Sequence, residues 1–344
     1  MGFAEAIGVI ERRALDDRAD AQARWVASTG DRGSLEAWAD RLRSVGRLTL
    51  NFHPDRIGRD GRSVAAGLAV DGAYRSQWVT GTSAGSRSAL PGGERHRFER
   101  EFFAGAYDDT APSSGEHPVY GAFDLAVDEH GGSPRFGSSF VVLRSHVRER
   151  TTMCVGDSHT GPRDVGTFDE PWSILAGLGE QAAQCNLLNR GLDTQALLAT
   201  LDGHHPSRSA SRDLDGYVEI QVHGGVALAD DVEAIVLDPS FRSSDIEHDI
   251  ASAAARHGIE VAWHCGSELA VEHVPDDFRG PTMPTLARVV ASADGIVHAR
   301  VIGIAAARQP YEEPTPLGDP PASTWQQFKY LWHTLLAHGH DAAP

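Results

Sequence analysis

At Arg47 the hydrophobic spacing changes from a helical period to a period of two, and a chain that switches in this way must build sheet as well as helix. In RLTLNFHPDR, Leu48, Leu50 and Phe52 fall on one side while Thr49, Asn51 and His53 fall on the other. Pro54 ends this strand, because proline has no N–H for a ladder. A later segment, YVEIQVHGG, repeats the pattern: Val218, Ile220 and Val222 make an apolar back, and Tyr217, Glu219, Gln221 and His223 share the front. Antiparallel strands often have one solvated face. A row of Tyr, Glu, Gln and His suits the floor of a cleft better than open surface, so two such strands are expected to face one cleft.

The flanking segments read as helix. Before Arg47, Phe3, Ile7, Ile10 and Ala14 recur at helical spacing, and Leu35, Trp38, Ala39 and Leu42 repeat it after a TGDRGS turn, with Ser34 as the expected N-cap. At the other end, STWQQFKYLWHTLLAHG places Trp325, Phe328, Leu331, Trp332, Leu335 and Leu336 on one face. Between them, WVTGTS reads as a short strand and GGERHRFEREFF as a helix with Phe98, Phe102 and Phe103 inward. SPRFGSSFVVL, TTMCVGDS, VEAIVLDPSF and IEVAWHCGSEL read as further strands. Strands and helices do not alternate strictly, which points to an α+β chain rather than a doubly wound parallel sheet. The expected organisation is a helical region 1–46, a core 47–310, and a tail with its helix, 311–344, packed on that core.

Composition removes several function classes. The net charge is −17, from 31 basic and 48 acidic residues, so the mean field repels nucleic acid and anionic membrane. Of the 31 basic residues one is lysine, Lys329, which leaves no lysine for a GxxxxGK phosphate loop. No stretch approaches the ~18 apolar residues of a membrane span. The 3 cysteines, Cys154, Cys185 and Cys265, are far apart and form no CxxC pair. The expectation is a cytoplasmic protein with no membrane partner.

Candidate chemistry gathers at a few places. Glu219 is the leading carboxylate, with Gln221 and His223 beside it. His53 ends the early strand, and Asp55 two residues on is placed to orient its ring. The glycine-rich stretches TGTSAG (Thr80, Gly81, Thr82, Ser83) and RFGSS (Arg135, Gly137, Ser138, Ser139) can bring backbone amides to a phosphate, or can be ordinary turns. No GxGxxG fingerprint follows a strand. Among 17 histidines, none has HExxH spacing. Metal ligation by His53, Asp55, Asp157, His159, His223 or His264 is a rival reading without a compact motif.

The phrases LTLNFHPDR, YRSQWVTGTSAG, GGERHRFEREFFAGAYD, PVYGAF, SPRFGSSFVVL, TTMCVGDS, YVEIQVHGGVALADDVEAIVLDPSF, VPDDFRGP and QQFKYLWHTLLAHG occur in this order between about Arg47 and Gly339. In them the chain resembles the bacterial family of unknown function DUF3626. It also resembles, distantly, the mono-ADP-ribosyltransferases. Those enzymes carry a His or Arg on an early strand, a Ser or Tyr on a middle strand and a Glu on a late strand, around a split mixed or antiparallel sheet that holds NAD. His53, then Ser138 or Ser139 with Tyr120 as the alternative, then Glu219 follow that order.

The resemblance implies cleavage of the nicotinamide–ribose bond of NAD and transfer of ADP-ribose to an unidentified acceptor. It makes Glu219 and His53 catalytic, with Asp55 setting the His53 tautomer, Ser138 or Ser139 bracing the Glu219 strand, and Arg56 or Arg135 meeting the pyrophosphate. Toxin-like relatives carry ExE, whereas this chain has Glu219 and Gln221. Gln221 is therefore the alternative occupant of the catalytic place. The other readings are a metal-dependent hydrolase and an inert nucleotide-binding module.

Overall fold

The computed structural model describes residues 2–82, 89–205, 214–309 and 324–342. The chain forms two compact units from interleaved segments: the first from Met1–Leu50, Arg97–Gly132 and Leu143–Gly225, the second from Asn51–His96, Ser133–Val142 and Val226–Pro344. The expected helical region belongs to the first unit and the C-terminal helix to the second.

The first unit is built on an antiparallel run of strands in the order Arg47–Phe52, Val119–Asp124, Val218–Val222, Thr151–Val155 and Val165–Thr167. Its register aligns Thr49 with Ala122, Ala122 with Glu219, and Glu219 with Cys154, so these four share one face. Helix Gly2–Asp16 covers that face, where Ala6 and Ile10 join Phe102, Phe103, Tyr107 and Cys154 in one apolar cluster. Ile10 and Ala14 are buried as their spacing predicts, but Phe3 is exposed. Helix Trp172–Ala183 lies on the opposite face: a Cβ added to Gly177 would stand 3.2 Å from a Val155 methyl. Helix Arg18–Thr29 packs closely on it, and a Cβ at Gly179 would meet the Ser28 hydroxyl at 2.8 Å. Leu35, Trp38, Ala39 and Leu42 of helix Leu35–Ser44 are all buried, while Ser34 takes the N-cap position without a side-chain cap bond.

The second unit contains strand Ser139–Leu143 beside Val232–Leu237, which pairs in parallel with Glu260–Trp263. Phe140, Val142 and Val236 form a buried cluster there. Helices Val64–Asp71 and Asp245–His257 pack together, and helix Thr324–His338 packs against Met283–Val290 and Ala299–Ala307. All six apolar residues expected on the inner face of the C-terminal helix are buried. The architecture is α+β, with antiparallel and parallel strand pairs. No described helix is long and apolar enough to cross a membrane.

Two local expectations change. WVTGTS is no strand: Gln77–Thr80 is a short helix, closed by Gly81 at φ 65° in the left-handed region that a side chain resists. The polar front of the Glu219 strand is no exposed floor either. Tyr217, Glu219, Gln221 and His223 are all buried, because helix Gly2–Asp16 and the 97–107 segment cover them.

Candidate active site

The covering of that polar front leaves Glu219, Gln221 and His223 to find their partners within the protein. Gln221 Oε1 can only accept, so the Thr152 hydroxyl donates to it at 2.7 Å. With its single hydrogen spent, Thr152 Oγ1 must accept from His223 Nε2 at 2.9 Å. That leaves His223 Nδ1 as the acceptor, and the Tyr107 hydroxyl donates to it at 2.6 Å. Burial, and then the charge of Arg150, lower the His223 pKa to about 3, in keeping with a neutral ring. Gln221 Nε2 donates onward to Glu219 Oε1 at 2.8 Å. Four hydrogen bonds thus run in one direction, from Tyr107 to the Glu219 carboxyl.

A turn brings the other groups to this carboxyl. Gly156, at φ 84°, lets the chain leave strand Thr151–Val155 and fold back, and its N–H binds the Tyr217 carbonyl at 3.0 Å. The Ser158 N–H then donates to Glu219 Oε1 at 3.3 Å. Asp157 also hydrogen-bonds Glu219, so two carboxyls share a proton. Burial first, and then the charge of Asp157, push the Glu219 pKa up to about 8. His159 Nδ1 lies 2.9 Å from Asp157 Oδ1. Cys154, beside the pair, is held as a thiol well above its ordinary range by burial and by Glu219, so it is no nucleophile.

Ser158, His159 and Gly161 form one wall of a pocket of about 290 Å³, with Phe98, Phe102, Val9 and Arg13 among the others. Glu219 is 5% exposed and sits behind this wall. Tyr120 is held by its hydroxyl, which donates to Glu99 Oε1 at 2.9 Å, and His117 Nδ1 approaches Glu99 Oε2 at 3.6 Å.

The family model described as "Protein of unknown function (DUF3626)" matches residues 47–338. The chain belongs to the DUF3626 family. No curated protein matches it. In this DUF3626 chain the matched region includes the Gly156 turn, the donor chain and both carboxyls.

The remaining sequence-derived candidates divide between the units. His53 lies in the second unit, with its ring edge-on to Trp332 at 5.2 Å, and burial followed by the charge of Arg56 lowers its pKa to about 4. Asp55 does not orient the ring as expected. Its Oδ2 is buried without a hydrogen-bond partner, and burial, with Asp238 adding to it, pushes its pKa up to about 7. Gly303 explains the enclosure: an added Cβ would stand 1.5 Å from Asp55 Oδ2. Arg56 lies over the Trp325 ring at 3.3 Å, and Arg135 over Phe136 at 5.0 Å.

Ser138 and Ser139 serve the second unit rather than bracing the Glu219 strand. The Ser138 carbonyl accepts from His264 at 2.7 Å and Ser139 Oγ accepts from the Asp238 N–H at 3.2 Å. Gly137 is required by contact, since a Cβ there would fall 2.0 Å from the Phe52 carbonyl carbon. The Thr80 and Thr82 hydroxyls bond each other at 2.7 Å around Gly81; Ser83 lies outside the described residues. Both His223 nitrogens are engaged, which leaves that residue no ligand atom for a metal or a cofactor. The partners that sequence reasoning did not join to Glu219 are Tyr107, Thr152 and Asp157. The available signal was the DSH segment directly after the glycine that ends TTMCV.

Proposed function

We propose that this chain uses NAD as a substrate, breaks the nicotinamide–ribose bond and passes ADP-ribose to an acceptor, with Glu219 and Asp157 as the working carboxyls. One observation supports this above the others. The Tyr120 strand pairs antiparallel with the Glu219 strand, so the Tyr and Glu of the resemblance sit on adjacent strands.

The chemistry follows from the carboxyl pair. Bond cleavage sends the electron pair to the nicotinamide nitrogen and leaves positive charge on the ribose. A carboxylate held away from water stabilises that charge far better than solvent does. Near neutrality Glu219 holds its proton and the charge of Asp157 lies beside it. The charge faces the sugar cation, and the ionised member accepts the proton of the acceptor group as that group bonds to the anomeric carbon. His159, paired with Asp157, fixes the outer carboxyl. The pocket of about 290 Å³ beside Phe98 and Phe102 suits one planar ring and its sugar rather than a whole dinucleotide.

Nicotinamide release from NAD tests the reading. Asp157→Asn, which removes the negative charge beside the protonated Glu219, is expected to slow release ~100-fold or more, the scale for loss of one electrostatic partner of a transition state. Equal release by wild type and variant overturns it. The near-complete burial of Glu219 favours a second reading, an inert nucleotide-binding module in which the acid only completes the donor chain. That reading expects NAD to bind both proteins equally and neither to release nicotinamide.

A further inference from the structure

Helix Gly2–Asp16 lends two residues to the pocket of about 290 Å³, Val9 and, one turn later on the same side, Arg13. The Arg13 guanidinium stands 5.5 Å from the centre of the Phe102 ring, and its Nη2 donates to the Pro162 carbonyl at 3.4 Å. Arg13 is half-buried, and among the described residues no carboxylate pairs with it. One long hydrogen bond leaves most of its fork of five N–H groups for a ligand in the pocket that it lines.

The pocket is polar in the sense of having two unlike ends. Phe102 and Phe98 line it one helical turn apart, and Arg13 stands at the Phe102 ring. At the Phe98 ring stands His159, 6.4 Å away, which is paired with Asp157 at 2.9 Å. A guanidinium therefore marks one end and a carboxylate, behind its imidazole, the other, with aromatic surface between them. Glu101 also lines the pocket, but it is exposed, where solvent screens its charge. The ligand that fits is a flat ring with positive charge at one end and an oxyanion at the other, because a cationic ring gains from aromatic faces and an oxyanion from the guanidinium fork.

Nicotinamide joined to ribose is a pyridinium cation, and the same ribose carries a phosphate. We infer that Arg13 binds this phosphate, so that the pocket takes the mononucleotide half of NAD with its ring at Phe98 and its phosphate at Phe102. The identity of the ring rests on the NAD reading; the oxyanion on Arg13 does not. The guanidinium role expected of Arg56 or Arg135 falls to Arg13, since those two belong to the second unit and lie over Trp325 and Phe136. Arg13 also precedes the matched residues 47–338.

Titration calorimetry of the full chain at neutral pH and constant ionic strength compares nicotinamide mononucleotide with nicotinamide riboside, which differ by the phosphate alone. The mononucleotide should bind ~10-fold or more tightly, the scale for one charge-assisted hydrogen bond. Arg13→Gln should abolish this preference while leaving riboside affinity unchanged, and Arg13→Lys, which keeps the charge without the fork, should retain part of it. Arg12→Gln, an equal charge change on an exposed neighbour, should leave the preference whole. No saturable binding of the mononucleotide, equal affinities in wild type, a preference that survives in full in both Arg13 variants, or an equal loss in Arg12→Gln overturns the assignment. Should the preference and its dependence on Arg13 hold while NAD releases no nicotinamide, the reaction falls and the binding site stands; release of nicotinamide without the preference removes the role of Arg13 alone.

Discussion

Replacing Glu219 by glutamine should change how the stability of the protein depends on pH. An ordinary glutamate gives up its proton near 4.5, whereas Glu219 keeps it to about 8 because the site is dry and Asp157 is close. Between those values the folded chain holds a proton that the unfolded chain has released. The free energy of unfolding therefore falls as pH rises, by about 1.4 kcal/mol per pH unit for one proton. The contribution is whole below the unfolded value and is lost as pH climbs through about 8. From about pH 5.5 to about pH 7.5 it amounts to roughly 2–3 kcal/mol. Glu219→Gln abolishes it. The new amide oxygen can still accept from Gln221 and Ser158, so the fold is retained. Asp55, His53 and His223 also titrate abnormally, but they are common to both proteins and cancel in the difference. Urea unfolding across this range should show the variant gaining about 2–3 kcal/mol on wild type as pH rises. A constant gap would mean that Glu219 is ionised in the folded protein, and the shared-proton argument would fail.

Tyr107→Phe removes the first donor of the chain and leaves His223 Nδ1 buried without a partner. A loss of about 1–3 kcal/mol is expected, and unchanged stability in the same unfolding assay would show that the chain is not directed as argued. Gly303→Ala puts a methyl where Asp55 Oδ2 stands, at 1.5 Å, and should cost ~2 kcal/mol or more. Adding Asp55→Ala should recover most of that cost, so strict additivity in the double-mutant cycle would refute the contact.

Much of the fold was legible because periodicity reports the local environment. The helices before Arg47, the strand over Val218–Val222 and the inner face of the C-terminal helix follow from spacing alone. WVTGTS misled because a run that short carries no resolvable period, and Gly81 closed it as a helix. The candidate site was legible only in part. Spacing placed Glu219, Gln221 and His223 on one face, and the register adds Thr152 and Cys154 to it. That the face is covered was not legible, since an amphipathic strand looks the same whether its polar side meets water or a second layer.

Sequence by itself determined which residues alternate, which segments coil, and that a carboxyl stands between an aromatic and an amide on one strand. Only the tertiary structure decided that the carboxyl would keep its proton. That depends on helix Gly2–Asp16 excluding water and on Gly156 turning Asp157 back over Glu219. Desolvation and charge proximity are properties of segments distant in the chain, and no local pattern encodes them.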